Sequence, residues 1–372
     1  MSGSAKYVKQ VVDDTCGDLL LAMQNNFRGD AVGVSLALYY PGNTAVPPFF
    51  GYGLSAPNQG VTENTVYAIG SVTKVFTATL AAYLVQQGTI GNLGTTTVAP
   101  YLGNPMCDPW GVAGDYWSEV TFADFATQTS GMPDEAPQHI SSALFLDEPP
   151  SCDLLAWWNN PGNQADWQKS QGDWIYSSAG FVTLGFAVTG AAGQGYTRLL
   201  RVCITEPLAM DRTFAADQVP HDTVLAVGYA GPGKQVNVTA ASDLKSNASD
   251  MVGWMQAVHA AMSAPQSAPL PAAIVETTNV WIAQPKKPDG SNEAFAMGLG
   301  WQIPSQDSIP FLEKNGATSL GGCSCWIGLT KPGPGVPVVG VMVMTNQSGV
   351  GAHGISPDRY GRQILNALLT SG

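Results

Sequence analysis

Apolar positions return along this chain in two rhythms. Phe76, Leu80, Tyr83 and Leu84 come back at helical spacing, and no Pro or Gly breaks their run before Gly88, which predicts a helix ending there. Val8, Val11, Val12, Leu19, Leu20 and Met23 predict an amphipathic helix over 5–27 despite Gly17. Val32 to Tyr40 reads as a strand, 41–43 as a turn, and Phe49 to Leu54 as the hairpin partner. Thr121 is placed to cap a short helix over 121–128 that Ser130-Gly-Met-Pro133 stops. Further helices are expected at 153–159, 178–189, 195–205 and 241–262. Leu299 to Ile303 reads as a strand, as do 323–330 and 336–345, the last two joined by the turn Lys331-Pro-Gly-Pro-Gly335. A helix from Pro357 to Thr370 ends the pattern. Strands therefore gather at both ends and helices fill the middle. This predicts an α+β lobe built from 1–68 and 215–372, with a mainly helical lobe over 69–214 inserted in it.

The totals narrow the function classes. With 372 residues, 45% of them hydrophobic and 12% charged, the chain has material for a large core and does not read as disordered. A net charge of −12 without a sizeable Lys/Arg cluster excludes a phosphate-backbone partner. No stretch approaches 18 uninterrupted apolar residues, so no membrane partner is expected. The first ten residues carry no apolar signal region, which points to the cytoplasm, a processed secreted form being the alternative. The six cysteines form no C-x-x-C pair and His139, His221, His259 and His353 lie far apart, so no zinc site is expected. Disulfides and buried thiols both fit the cysteine count, while Cys323 and Cys325, two apart on a strand, suit a core.

Candidate chemistry begins at Ser71-Val-Thr-Lys74. Ser71 falls in the first turn of the predicted helix, where unpaired N–H groups and the positive dipole end gather, and Lys74 lies one turn further on the same face. A lysine partly shielded from water can lower its pKa and take the serine proton. The plain alternative is an amphipathic helix with a surface lysine. Two further segments carry reactive groups: Tyr176-Ser177-Ser178 at a helix entry, and the Gly-rich strand edge Glu313-Lys314-Asn315-Gly316-Ala317-Thr318.

These residues together resemble the class C β-lactamases and their relatives, among them DD-peptidases, D-amino-acid amidases, transacylases and family VIII carboxylesterases. The resemblance runs in order through Ile69 to Thr77, Thr129-Ser-Gly-Met-Pro133, Tyr176-Ser-Ser178, Glu206-Pro-Leu-Ala-Met-Asp211, Leu244 to Met251, Gly298-Leu-Gly-Trp301 and Lys314 to Thr318. It implies the β-lactamase/DD-peptidase fold: an antiparallel sheet flanked by the N- and C-terminal helices, plus an inserted helical lobe. It implies Ser71 as nucleophile, Lys74 helping to deprotonate it, and Tyr176 relaying the proton to the leaving group and activating the deacylating water, either Lys74 or Tyr176 being the main general base. The N–H groups of Ser71 and Ala317 would form the oxyanion hole, and Ser178, Lys314, Asn315 and Gly316 would meet the substrate.

Two positions depart from the β-lactamase pattern. Ser178 stands where Tyr-x-Asn has its Asn, and Asn315 where Lys-Thr-Gly has its Thr. The missing carboxamide argues against penicillins and cephalosporins, and favours a serine carboxylesterase acting on short esters, as in family VIII. The alternatives are a β-lactamase, D-amino-acid amidase, DD-peptidase or transacylase, and a non-catalytic ligand-binding protein on the same scaffold. No complete G-x-S-x-G elbow occurs, which argues against an α/β-hydrolase. No metal or organic cofactor is implied; the expected partner is a small ester, and the expected state a monomer or small homo-oligomer.

Overall fold

The structure, a computed structural model, describes residues 3–26, 31–42, 45–108, 111–137, 140, 147–215, 219–230, 235–236, 244–306, 308–318, 322–348 and 355–370. Its longer helices are α1 (Gly3–Asn26), α2 (Thr73–Gln86), α3 (Ser178–Ala192), α4 (Ala248–Ser263) and α5 (Pro357–Thr370). Its longer strands are β1 (Gly33–Tyr39), β2 (Phe49–Ala56), β3 (Ile309–Thr318), β4 (Cys323–Thr330) and β5 (Gly340–Thr345). The chain divides into one unit of Met1–Thr73, Thr205–Ala264 and Ser305–Gly372, and another of Lys74–Ile204 and Pro265–Pro304.

In the first unit the five strands run in the order β2-β1-β5-β4-β3, each antiparallel to its neighbours. The N-terminal hairpin meets the C-terminal strands along β1 and β5, from Val34 opposite Thr345 to Tyr39 opposite Gly340. Both of these strands are covered on two faces, which is why they read as nearly continuous apolar runs. One face carries Val34, Leu36, Leu38, Val341 and Val343, packed with Val8, Val12 and Leu19 of α1 and Ile364, Leu365 and Leu368 of α5. Against the other face lies α4. Gly340 leaves room for it there, since a Cβ at that position would sit 2.8 Å from the Met255 sulfur.

The second unit is largely helical and takes in 265–304 besides the middle of the sequence. Thr121 caps the helix Phe122–Ala126 in a reciprocal bond pair with Asp124. Among its helices are two that periodicity did not predict, Pro161–Ser170 and Pro269–Thr278. Each opens with proline in its first turn, where the missing N–H costs nothing, so residues that look like breakers are starters here. Cys107 and Cys152 are joined by a disulfide in this unit, and Cys16, Cys203, Cys323 and Cys325 are buried thiols outside that bond.

Several boundaries differ from expectation. The helix predicted over 241–262 starts at Ala248, because Asn247 accepts the Asp250 N–H and caps it. Residues 241–243 lie outside the described ones, and Lys245–Ser246 pair as a short strand with Tyr67–Ala68. The strand expected at 299–303 shrinks to Gln302–Ile303, since Gly300 turns the chain at φ +77°. The one expected from Val336 begins only at Gly340, after Pro337. Over 195–205 the chain forms a short α-helix, Tyr196–Leu200, and then a wider π turn, Arg201–Thr205.

A charged group is buried in the first unit. Glu313, 2% exposed, accepts two hydrogen bonds from Arg362 of α5, at 2.7 and 2.6 Å, and a third from the Trp326 indole at 3.1 Å. Gly361 permits this approach of helix to ring, because a Cβ there would fall 2.2 Å from the indole. Removing the cation would strand a carboxylate in the core. Arg362→Ala is therefore expected to destabilise the protein by about 2–4 kcal/mol, somewhat below the full buried-pair cost because the arginine is partly exposed. Urea unfolding of the two proteins measures it. The disulfide closes a sequence separation of 45 residues, and replacing both of its cysteines by serine is expected to cost about 2–4 kcal/mol in the same assay.

Candidate active site

Ser71 lies in a single 3₁₀ turn, Gly70–Val72, that runs directly into α2. The boundary between the two units falls inside this helical run, after Thr73. Ser71 thus belongs to the first unit and Lys74 to the second, three residues apart in sequence.

In the first unit the Ser71 turn is braced from three directions. Leu244 accepts the Ile69 N–H at 2.9 Å and donates its own N–H to Thr73 Oγ1 at 2.9 Å, so the Leu244–Met251 motif begins as a clamp across the turn. The Cys325 thiol donates to the Ile69 carbonyl at 3.0 Å. The third support is β3. Gly70 has φ +49°, and a Cβ on it would lie 2.7 Å from the nitrogen and 2.8 Å from the oxygen of Ala317. One on Gly316 would lie 2.2 Å from the Ile69 carbonyl oxygen. Two glycines are therefore what lets the serine turn and the strand edge approach backbone to backbone. The turn leaves Ser71 partly exposed.

Strand alternation divides the remaining β3 candidates. Lys314, 3% exposed, lies on the face opposite Glu313, while Asn315 and Ala317 are exposed and share the Glu313 face. Lys314 and Asn315 are thus neighbours in sequence that point apart. The structure brings Ala317 and Gly316 to Ser71 and does not bring the Asn315 side chain to Lys314.

In the second unit Lys74 is the centre. It is 8% exposed, which rules out the surface-lysine alternative, and α2 from Val72 to Ala82 is buried throughout rather than amphipathic. Its Nζ donates to Ser178 Oγ at 3.4 Å and stands 5.1 Å from the ring centroid of Tyr176 and 5.6 Å from that of Phe181. A buried ammonium is thus given a hydroxyl acceptor and two aromatic rings. Gly300 of the Gly298–Trp301 motif lies against the Lys74 backbone, where a Cβ would fall 2.9 Å from its carbonyl oxygen.

Tyr176 and Ser178 lead into α3, and the segment after helix Phe122–Ala126 holds them. Ser177 caps α3 by accepting the Gly180 N–H at 2.8 Å, and its hydroxyl donates to the Pro133 carbonyl at 2.7 Å. Asp134 accepts the Ser178 N–H through Oδ1 at 3.0 Å and the Ala179 N–H through its carbonyl at 2.8 Å. Gln128 accepts the N–H groups of Ile175 and Ser177. Neither Gln128 nor Asp134 stands out in the sequence, although they flank the Thr129–Pro133 motif, and that position was the available signal. Among the described residues no group of three or more His, Cys, Asp or Glu side chains is placed to hold a metal.

Comparison with known proteins agrees with this architecture. A beta-lactamase of Yersinia enterocolitica is 28% identical over 289 residues, covering 73% of this chain and 65% of the relative, so the match spans just under two thirds of that relative's length. The D-alanyl-D-alanine-carboxypeptidase/endopeptidase AmpH of Escherichia coli K12 is 27% identical over 314 residues, 78% of this chain and 74% of the relative. A crystal structure of a class C beta lactamase superposes with a TM-score of 0.75 over 99% of both chains at 21% identity, a likeness of fold. The chain has the β-lactamase/DD-peptidase fold, and with the Beta-lactamase family model matching residues 6–365 it belongs to the beta-lactamase family.

Proposed function

We propose that this protein is a serine hydrolase that cleaves carboxylic esters through an acyl-enzyme on Ser71. The observation that carries the reading is the environment of Lys74: a buried amine one helical turn beyond a partly exposed serine, bonded to Ser178 and overlying Tyr176. A serine hydroxyl needs an adjacent base to attack a carbonyl near neutral pH, and Lys74 with Tyr176 supplies one. The Ser71 oxygen adds to the ester carbonyl carbon as its proton passes to that base. The carbon–oxygen bond to the alcohol then breaks, and the alcohol leaves with the proton. Water repeats the sequence on the acyl-enzyme, releasing the acid and restoring the serine. The N–H groups of Ser71 and Ala317 receive the oxyanion, each donor contributing about 3–4 kcal/mol to such a transition state. Lys314 adds positive charge to the serine's side of the chemistry.

Ester rather than lactam cleavage is favoured by Ser178. The β-lactamase pattern has a carboxamide there that can reach a substrate's amide side chain. Here a shorter hydroxyl accepts a hydrogen bond from Lys74 instead. Esters also require less protonation of their leaving group than amides do. The names of the relatives favour a second reading, hydrolysis of a β-lactam or of a D-alanyl peptide.

Ser71→Ala is expected to lower 4-nitrophenyl acetate hydrolysis by at least about a thousandfold with the melting temperature kept, and undiminished turnover would remove Ser71 from the mechanism. Comparing kcat/KM for the same ester and for a chromogenic cephalosporin separates the two readings: the ester is expected to be the better substrate, and the reverse order selects the lactamase.

A further inference from the structure

Gln128 holds the main chain on both sides of Tyr176. Its backbone carbonyl accepts the Ile175 N–H at 2.9 Å, and its side-chain Oε1 accepts the Ser177 N–H at 2.6 Å. It does so from a left-handed conformation, φ +66°, that glutamine seldom adopts. It is 4% exposed, and its own N–H bonds back to the Phe125 carbonyl at 3.2 Å as the preceding helix ends. The left-handed turn aims the carbonyl and the side chain of one residue at the same short segment. Buried non-glycine residues keep such a conformation only where their surroundings over-determine it, and they concentrate at functional sites.

We propose that Gln128 is a positioning residue for Tyr176, fixing the peptide planes before and after the phenol. This rests on the reading of Tyr176 as proton relay. The start of α3 does not depend on Gln128, because Ser177 caps it and Asp134 takes the N–H groups of Ser178 and Ala179. On the peptide that follows Tyr176, the Ser177 N–H is held by the Gln128 amide oxygen. Without that acceptor the peptide between Tyr176 and Ser177 carries a buried donor with no partner and turns to find one. A displacement of the phenol by about 1 Å is enough to cost on the order of 100-fold in rate. Substrate binding is not touched, so the loss falls on kcat.

The test uses the full chain, 4-nitrophenyl acetate, and fluorophosphonate labelling run to completion to count intact Ser71 sites. Gln128→Met keeps the side-chain length and removes the acceptor; kcat is expected to fall about 10- to 100-fold with KM within about twofold. Gln128→Glu keeps an acceptor oxygen at the same reach, and its kcat is expected within about threefold of the wild type. A wild-type kcat in Gln128→Met, or an equal loss in Gln128→Met and Gln128→Glu, overturns the proposal. If Gln128→Met shows no cooperative melt, Gln128→Asn replaces it: asparagine tolerates the left-handed turn but falls one methylene short. A lowered kcat at unchanged KM then supports the proposal, and a wild-type kcat overturns it. Ser71→Ala is run alongside. If it retains turnover, the proposed function itself fails; if it is inactive while Gln128→Met matches the wild type, only the role of Gln128 fails.

Discussion

The serine turn exists in its present form because two backbones touch. Gly70 lies where any side chain would strike Ala317, and Gly316 lies where any side chain would strike Ile69. Neither obstacle is a flexible side chain that can swing away; both are main chain, one in a sheet and the other in the turn itself. Backbone-to-backbone contact of this kind fixes distance more tightly than side-chain packing, which has rotamers in which to relax. The rest of the first unit supports the strand edge that makes the contact. β3 hydrogen-bonds to β4, β4 to β5, and β5 to β1, so the edge is tied through the sheet to the N-terminal hairpin. The Glu313–Arg362 pair anchors the same strand to α5 one residue before Lys314. Both chain ends are needed to hold five residues of β3 in place.

Buried cations set the second constraint. The chain is acidic overall, with a net charge of −12, yet Lys74, Lys245 and Lys314 are all under a tenth exposed. Taking an ammonium out of water costs several kcal/mol, and folding accepts that only where specific groups replace the lost hydration. For Lys74 those groups include the Ser178 hydroxyl and the faces of Tyr176 and Phe181. Aromatic rings stabilise the ammonium through their quadrupoles and bring no opposite charge of their own.

The elements legible in the sequence are those whose signal is local. Thr121 capped the short helix as expected, β1 and β2 formed the expected hairpin, and α5 spans the expected 357–370. The boundaries that moved did so where one residue's backbone outweighed the pattern. Asn247 began α4 later, Gly300 folded half a strand into a turn, and Pro161 and Pro269 opened helices instead of ending them. The residue types of the candidate site were legible as ordered motifs, because hydroxyls, amines and phenols announce their chemistry. Their supports were not. Leu244, Cys325, Asp134 and Gln128 act mostly through backbone groups or through reach, and nothing in their residue type marks them. The divergence of Lys314 from Asn315 was foreseeable from alternation alone, once β3 was accepted as a strand.

The candidate groups thus come in two kinds, and the distinction bears on how substrate preference changes in such a fold. Lys74, Tyr176 and the Ser71 turn are each gripped by hydrogen bonds from main chain or by glycine contacts that admit no substitute. Ser178 and Asn315, the two departures from the β-lactamase pattern, are held differently. Each is at least partly exposed. Exchanging a carboxamide for a hydroxyl at Ser178 leaves the α3 cap intact, because that cap is supplied by Ser177. Ser178 also accepts the Lys74 hydrogen bond, so an exchange there reaches the buried amine as well as the exposed surface, whereas Gly70 and Gly316 admit no side chain unless main chain moves.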